Sequence, residues 1–264
     1  MTLETLKNNW VSKYEPNEAK WNNMAKRFAK MADPTFEENF TLKILADRIS
    51  SGDNLSVLDI GCGAGQYSIA MAKKFKHVTG IDLSSKMISE ACKKAEQSQV
   101  DNVEFICGNW MQNIEENQYD VVFARNTPAI NDYNSFDKMF KAGNKFGIYT
   151  SHSRRQDRLF DQLCQVFNVD NRLNKSPNNE NISNIFTYLW HHGQKPHVHY
   201  HDEVWESLWE IDDLCQFFID NVGEQLANNR REEVKDYLLS ISKDGLHVEE
   251  TLSTTMVCID WQVI

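Results

Sequence analysis

The run Val57-Leu58-Asp59-Ile60-Gly61-Cys62-Gly63-Ala64-Gly65 decides how this chain is read. Its start, within the apolar segment Leu55–Ile60, has the pattern of a short strand buried on both faces. Three glycines at alternate positions then make a tight turn, and Gln66–Phe75 continues as a helix. Glycine lets a backbone turn sharply and approach a ligand closely. In an open α/β sheet such a turn lies at the carboxyl end of a parallel strand, where ligands bind.

Reading outward, the same alternation repeats. His77–Ile81 is a second apolar run closed by Asp82, and Ser84 can cap a helix over Ser85–Gln97. Val103–Cys107, Tyr119–Ala124 and Lys145–Ser151 read as third, fourth and fifth strands, with a helix near Arg154–Phe167. Strand and helix in turn at this spacing predict a mostly parallel sheet with helices on both faces. Upstream, Trp21, Met24, Ala25, Phe28 and Met31 line one helical face of Glu18–Met31. A second helix spans about Thr35 to Ser50 and stops at Ser51-Gly52-Asp53. Downstream, Asn171–Ser183 has a linker's composition. Ile182–His192, Ile211–Val222 and Arg231–Ile241 read as helices, Pro196–Val204 as extended, and Thr254–Val263 as a closing strand.

The spacing G-x-G-x-G is not the G-x-G-x-x-G of dinucleotide binders, because Gln66 stands where the third glycine belongs. Asp59 precedes the loop by two residues. A carboxylate there repels a pyrophosphate and attracts a ligand carrying sulfonium and ammonium charges. Asp82 ends the second strand and can accept both hydroxyls of a ribose. Two acids around a glycine loop suit a nucleoside without phosphate.

The ordered set VLDIGCGAGQYSIAMA (57–72), VTGIDLSSKMISEACKKA (78–95), VEFICGNW (103–110) and YDVVFAR (119–125) resembles the successive cofactor motifs of class I, Rossmann-like S-adenosylmethionine-dependent methyltransferases of the small-molecule type. The resemblance implies α/β architecture with a seven-stranded sheet, mostly parallel, whose final strand is antiparallel. It adds helices at the N-terminus and between the last two strands. It implies S-adenosyl-L-methionine as cofactor and S-adenosyl-L-homocysteine as product. Asp59, Gly61, Cys62, Gly63, Gly65 and Gln66 would surround the amino-acid part. Asp82 would hold the ribose, with Leu83 and Met87 against the adenine. Gly108 and Asn109 stand where the family often has Gly-Asp, and the asparagine carbonyl can still accept from the adenine amine. Trp110 would flank the ring. Ala124 and Arg125 would lie near the sulfonium. Arg125 departs from the pattern, since that site already carries a cation; its partner is substrate or a carboxylate. Asn126-Thr127-Pro128-Ala129 is a faint echo of the Asn/Asp-Pro-Pro-aromatic motif of amino-methylating members.

The resemblance makes the chain a single methyltransferase domain. Residues 1–52 form lid helices, 53–170 the cofactor-binding core, and 171–264 a substrate-side cap with the last strands. Trp21 and Phe28 would pack in the core or line the acceptor pocket together with Tyr14. A protonated nucleophile needs a base, and His152, just past the expected fifth strand, is the first candidate, followed by His191 and Tyr14. His197, His199 and His201 share a strand face, compatible with solvent, a base or a metal; no fourth ligand is evident, so no metal is assigned.

Composition narrows the partners. The net charge of −10 repels phosphate backbones, so a small-molecule acceptor is preferred to nucleic acid. No apolar run is long enough to span a membrane. The six cysteines form no CxxC pair and the N-terminus lacks a secretory pattern, which predicts a cytoplasmic location. Sequence carries no signal of oligomeric state. The rival readings are a tRNA or protein methyltransferase, an NAD(P)-dependent oxidoreductase, and a noncatalytic module binding the same cofactor.

Overall fold

The computed structural model describes the chain apart from residues 1, 13–14, 50–53, 172–177, 224–225, 227–229 and 264. Seven strands are formed: β1 Ser56–Ile60, β2 His77–Asp82, β3 Val103–Cys107, β4 Tyr119–Arg125, β5 Gly143–Asp157, β6 His197–Glu210 and β7 His247–Gln262. They make one sheet in the order β3-β2-β1-β4-β5-β7-β6. The pairs β1–β2, β1–β4, β2–β3 and β4–β5 are parallel, and β7 is antiparallel to β5 and β6. The expected mixed Rossmann-like sheet is what forms.

Eleven helices are seen among the described residues: α1 Leu3–Asn9, α2 Glu18–Ala29, α3 Phe40–Arg48, α4 Gln66–Ala72, α5 Ser85–Gln97, α6 Trp110–Asn113, α7 Tyr133–Ala142, α8 Arg158–Phe167, α9 Asn178–His191, α10 Ile211–Val222 and α11 Arg231–Ile241. Contacts gather them into two compact units. The first holds residues 1–151, 180–199 and 257–264, the second residues 152–179 and 200–256.

In the first unit the strand period sorts side chains onto two faces. Leu58 and Ile60 of β1 join a core with Leu6 and Trp10, with Phe136 and Met139 of α7, and with Tyr188 of α9. Val57 joins the opposite core with Leu42 and Leu45 of α3 and Met71 of α4. Burial on both faces explains why β1 and β4 read as nearly unbroken apolar runs. Trp261 of β7 is fully buried, and it lies where a Cβ on Gly147 would be, 2.0 Å from the ring. Truncating so large a buried ring costs about 3–5 kcal/mol. Trp10 is held by a hydrogen bond from Nε1 to Oδ1 of Asn181, 2.7 Å, whose Nδ2 donates to the Ile130 carbonyl.

The second unit packs Phe160, Phe167 and Phe218 around one another, with ring centroids 5.3–5.8 Å apart. Buried Glu250 accepts from Trp209 Nε1 and Ser207 Oγ.

Several boundaries differ from the sequence expectations. The helix expected from Thr35 starts at Phe40, because Asn39 caps it by accepting from the Thr41 and Leu42 amides. The fifth strand runs on to Asp157, whose side chain caps α8. β7 begins at His247 rather than Thr254, its inner positions Val248, Glu250, Leu252, Thr254 and Met256 all buried. The polar residues at two of those positions concealed the alternation. The stop at Ser51-Gly52-Asp53 and most of the expected linker lie outside the described residues; helix resumes at Asn178.

Candidate functional site

The turn after β1 is anchored to β2: the Gly61 and Cys62 amides both donate to the Ile81 carbonyl, at 2.8 and 3.1 Å. All three glycines have positive φ, of 70°, 55° and 81°, yet each is needed for a different reason. A Cβ on Gly61 would lie 2.0 Å from Thr127 Oγ1, so the first glycine admits the loop after β4. A Cβ on Gly65 would lie 2.8 Å from both Ala91 Cβ and Phe105 Cζ, so the third permits α5 and β3 to pack close to α4. A Cβ on Gly63 would meet nothing within 4 Å. Only Gly63 presents bare backbone to open space, as a ligand cradle requires.

Two carboxylates flank that backbone. Asp82 Oδ2 accepts from the Gly63 amide at 3.0 Å and Oδ1 from the Ser84 amide at 2.8 Å. Each oxygen keeps a second lone pair for a ligand hydroxyl. Burial raises this carboxyl above its usual range, and the two amide bonds oppose that shift. Asp59 is buried and accepts from Ser68 Oγ at 2.6 Å. Burial pushes it up to about 7, with the nearby Asp82 charge adding to the rise. The Arg125 charge offsets part of the Asp59 rise, and a cationic ligand would favour the ionised acids further. Cys62 is buried, its thiol pushed well up by burial and by the same acids.

Helix α2 closes on this loop. Trp21 and Phe28 meet edge to face at 6.2 Å and pack with buried Ala25, Ala64 and Met87. Asn22 Oδ1 accepts from Ser84 Oγ and from the Lys86 amide, pinning α2 on the first turn of α5. Gln66 Nε2 donates to the Phe28 carbonyl. Gln66 thus ties the loop to α2, a role its spacing did not indicate.

At the neighbouring strand ends, Leu83 follows Asp82, half-buried. Gly108 follows β3, and Asn109 caps α6 by accepting from the Met111 amide at 3.0 Å, leaving its Nδ2 for other partners. Trp110 is a core residue, and its Nε1 donates to the Ala129 carbonyl. Ala124 is buried opposite Ile60. Arg125 ends β4, its guanidinium carbon 4.6 Å from the Tyr67 ring centre. The sequence reading did not single out Ser68, Tyr67 or Asn22, and it noted Thr127 only within the Asn126–Ala129 echo. Each is an ordinary helix or loop residue whose meaning comes from what it faces.

Tyr14 lies outside the described residues. His152 does not stand past a strand end: β5 continues to Asp157, and His152 belongs to the second unit, its ring 6.4 Å from Trp205. His191 is exposed in the last turn of α9. His197 and His199 turn to one buried carboxylate, Asp260. His199 Nε2 is 2.6 Å from Oδ2, His197 Nδ1 is 3.6 Å from Oδ1, and Arg48 Nε donates to Oδ1 at 2.8 Å. The cluster joins α3, β6 and β7 as a polar clasp. Among the described residues no group of three acids, histidines or cysteines is arranged to hold a metal.

Residues 51–200 match the model of a family described as a methyltransferase domain. Phosphoethanolamine N-methyltransferase 1 of Arabidopsis thaliana is 35% identical over 114 residues, 40% of this chain and 23% of its own length. Sterol 24-C-methyltransferase ERG6A of Gibberella zeae is 32% identical over 113 residues, 40% of this chain and 30% of its own. Demethylmenaquinone methyltransferase of Listeria monocytogenes is 37% identical over 86 residues, 31% and 35%. The chain thus spans only 23–35% of the length of these relatives. A SAM-dependent methyltransferase from Thiobacillus denitrificans, solved with S-adenosyl-L-homocysteine, shares the fold, with a TM-score of 0.50 at 15% identity over 93% of this chain and 99% of its own. A methyltransferase-like structure from Bacillus halodurans has the same TM-score at 16% identity, covering 83% and 97%. The family match spans more than half of the 264 residues and includes the whole frame just described, from β1 through the acid ending β2 to the end of β4, so the chain belongs to the methyltransferase domain family.

Proposed function

We propose that this protein transfers a methyl group from S-adenosyl-L-methionine to a small-molecule nucleophile. The observation that carries the reading is the bare Gly63 backbone flanked by two carboxylates, buried Asp59 and half-buried Asp82. Those residues fit a nucleoside with cationic ammonium and sulfonium groups and no phosphate. Gly63 leaves room for the amino-acid part, bounded by Gly61, Cys62, Gly65 and Gln66. Asp82 is pre-aimed by two amides toward a ribose. Leu83, Met87, Gly108, Asn109 and Trp110 bound the adenine side, and Ala124 the sulfonium side.

When bound, the cofactor supplies a methyl group activated by positive sulfur, which passes in line to the acceptor lone pair and leaves a neutral thioether. The chain's own residues bind, orient and exclude water. Asp59 attracts the cationic end. Helix α2, seated on Ala64 and Met87, roofs the loop, an arrangement that favours a small acceptor over a polymer. Orientation alone supplies a large share of the rate. His152 and His191 remain our candidates for accepting the proton of a neutral nucleophile, and Trp21 and Phe28 for the edge of the acceptor pocket. The relatives named above act, by name, on phosphoethanolamine, a sterol and demethylmenaquinone, which supports a small acceptor without choosing one. We retain the single-domain reading, in a cytoplasmic setting; no helix among the described residues is long and apolar enough to cross a membrane.

Calorimetric titration with S-adenosylmethionine, S-adenosylhomocysteine and NADH tests the proposal. Micromolar binding of the adenosyl ligands, lost in Asp82→Ala, is expected. NADH binding instead would return the chain to the oxidoreductase reading.

A further inference from the structure

Arg125 makes no close ion pair among the described residues; the acid whose charge it meets is Asp59. Arg125 closes β4 in register with Thr150 of β5, one residue beyond the Ile60–Ala124 pair, so it stands beside the start of the glycine loop. It shares a sheet face with Val121 and Phe123. Tyr67 lies under its guanidinium and is itself held twice: it stacks on Phe123 at 5.9 Å, and its hydroxyl accepts from Asn39 Nδ2 at 2.8 Å. A guanidinium seated over a fixed ring keeps N–H groups for other partners, and such a fork reads planar or tetrahedral oxyanions with two parallel hydrogen bonds.

Among the described residues Arg125 makes no ion pair, and its Nε is buried with no hydrogen-bond partner. The protein holds 38 acidic side chains against 28 Lys and Arg, so an unpaired, half-buried arginine is not for want of acids. The acid on the same face, Asp59, accepts from Ser68 and meets the Arg125 charge without hydrogen-bonding to it. Next in sequence, Asn126 has a φ of 48° and a buried Oδ1 that also lacks a partner, while its amide is held by the Thr150 carbonyl. Two consecutive residues thus carry a guanidinium nitrogen and an amide oxygen that nothing among the described residues satisfies. They match a molecule bearing an anionic group next to an N–H or O–H. An anion arriving with the acceptor would add to the balance that Asp59 gives a second cation beside the sulfonium.

We propose that the methyl acceptor is a small anion, a carboxylate or phosphate monoester bearing a protic nucleophile, whose charge is read by Arg125 on Tyr67 and whose N–H or O–H is read by Asn126. This rests on the methyl-transfer reading above.

The test is a matched panel assayed by release of S-adenosylhomocysteine from S-adenosylmethionine. The carboxylate arm pairs 4-hydroxybenzoate with 4-hydroxybenzamide; the phosphate arm pairs glycerol 3-phosphate with glycerol. An anionic member is expected to exceed its neutral twin by about 100-fold in kcat/KM. The arm in which this happens identifies the oxyanion. Arg125→Gln should lower kcat/KM on the anion by about 100-fold and Arg125→Lys by about tenfold, both mainly through KM. Affinity for S-adenosylhomocysteine should stay within about threefold in both, which also shows that they fold. Equal turnover of neutral and anionic twins would overturn the proposal. So would absence of turnover on every anion by a protein that binds S-adenosylhomocysteine. Loss of S-adenosylhomocysteine affinity in Arg125→Gln, with 5′-methylthioadenosine binding unchanged, would reassign the arginine to the cofactor carboxylate. Failure of the wild type to bind S-adenosylhomocysteine would instead sink methyl transfer itself, and this proposal with it.

Discussion

Replacing Gly63 and Gly65 by alanine separates a ligand cradle from a packing contact. Both residues have left-handed backbone, at φ 55° and 81°, so each alanine carries a strain of about 1–2 kcal/mol. At Gly63 nothing further is added, because the new methyl meets no atom within 4 Å. At Gly65 the methyl comes within 2.8 Å of Ala91 Cβ and Phe105 Cζ and 3.2 Å of the Ala91 backbone. Helix α5 cannot yield there without shifting, so overpacking adds about 1–3 kcal/mol. Urea unfolding should therefore show losses of about 1–2 kcal/mol for Gly63→Ala and about 2–5 kcal/mol for Gly65→Ala. Calorimetry should rank them differently. Gly63→Ala keeps most of its stability but loses at least about tenfold in S-adenosylhomocysteine affinity, roughly 1.4 kcal/mol, since the methyl fills the cradle. Wild-type affinity in Gly63→Ala would refute the claim that this backbone receives the cofactor. Equal stability of the two variants would refute the packing account of Gly65.

Other expectations follow from the same geometry. The Asp59 carboxyl, raised to about 7 from an unfolded value of 3.8, takes up a proton on folding across that window, so stability should decline as pH rises from about 4 to 7. Above that, the ionised acid should favour the sulfonium. The affinity ratio of S-adenosylmethionine to S-adenosylhomocysteine should rise up to about tenfold between pH 6 and pH 8, as the ionised fraction does; a flat ratio, or one unchanged in Asp59→Asn, would dismiss the acid's role. Asp260→Asn should cost about 2 kcal/mol in urea unfolding, toward the lower side because Arg48 is a third exposed, while S-adenosylhomocysteine binding is kept. A null effect there would mean the clasp is ornamental. If His152 is the base, His152→Ala should lower kcat on a protonated acceptor by about 10²–10⁴-fold with cofactor affinity unchanged, and unaltered turnover removes it.

Much of the first unit was legible because its signals are local. Helix α5, with Ser84 as cap, and strand β3 have the bounds read from the sequence. So do α10 and α11 in the second unit. A cap and an apolar period each need only a few neighbouring residues to act. Helix α7 was not read, although Asp132 and Ser135 form a capping box. Helix α1 was missed too; its buried Leu6 and the Trp10 that follows take their meaning from Phe136 and Asn181, far along the chain.

What the sequence determined by itself was the frame: a strand, a glycine turn and two acids, in an order that resembles class I methyltransferases. Chain order and local steric rules suffice for that. What the tertiary structure decided was the office of each residue. It assigned Gly61 to Thr127 and Gly65 to Ala91, leaving Gly63 the open one of the three, and it left Arg125 on Tyr67 with no close ion pair among the described residues. Those outcomes depend on which side chains distant segments bring within van der Waals or hydrogen-bond reach. Spacing along the chain does not encode such distances, because they are set when strands pair and helices dock.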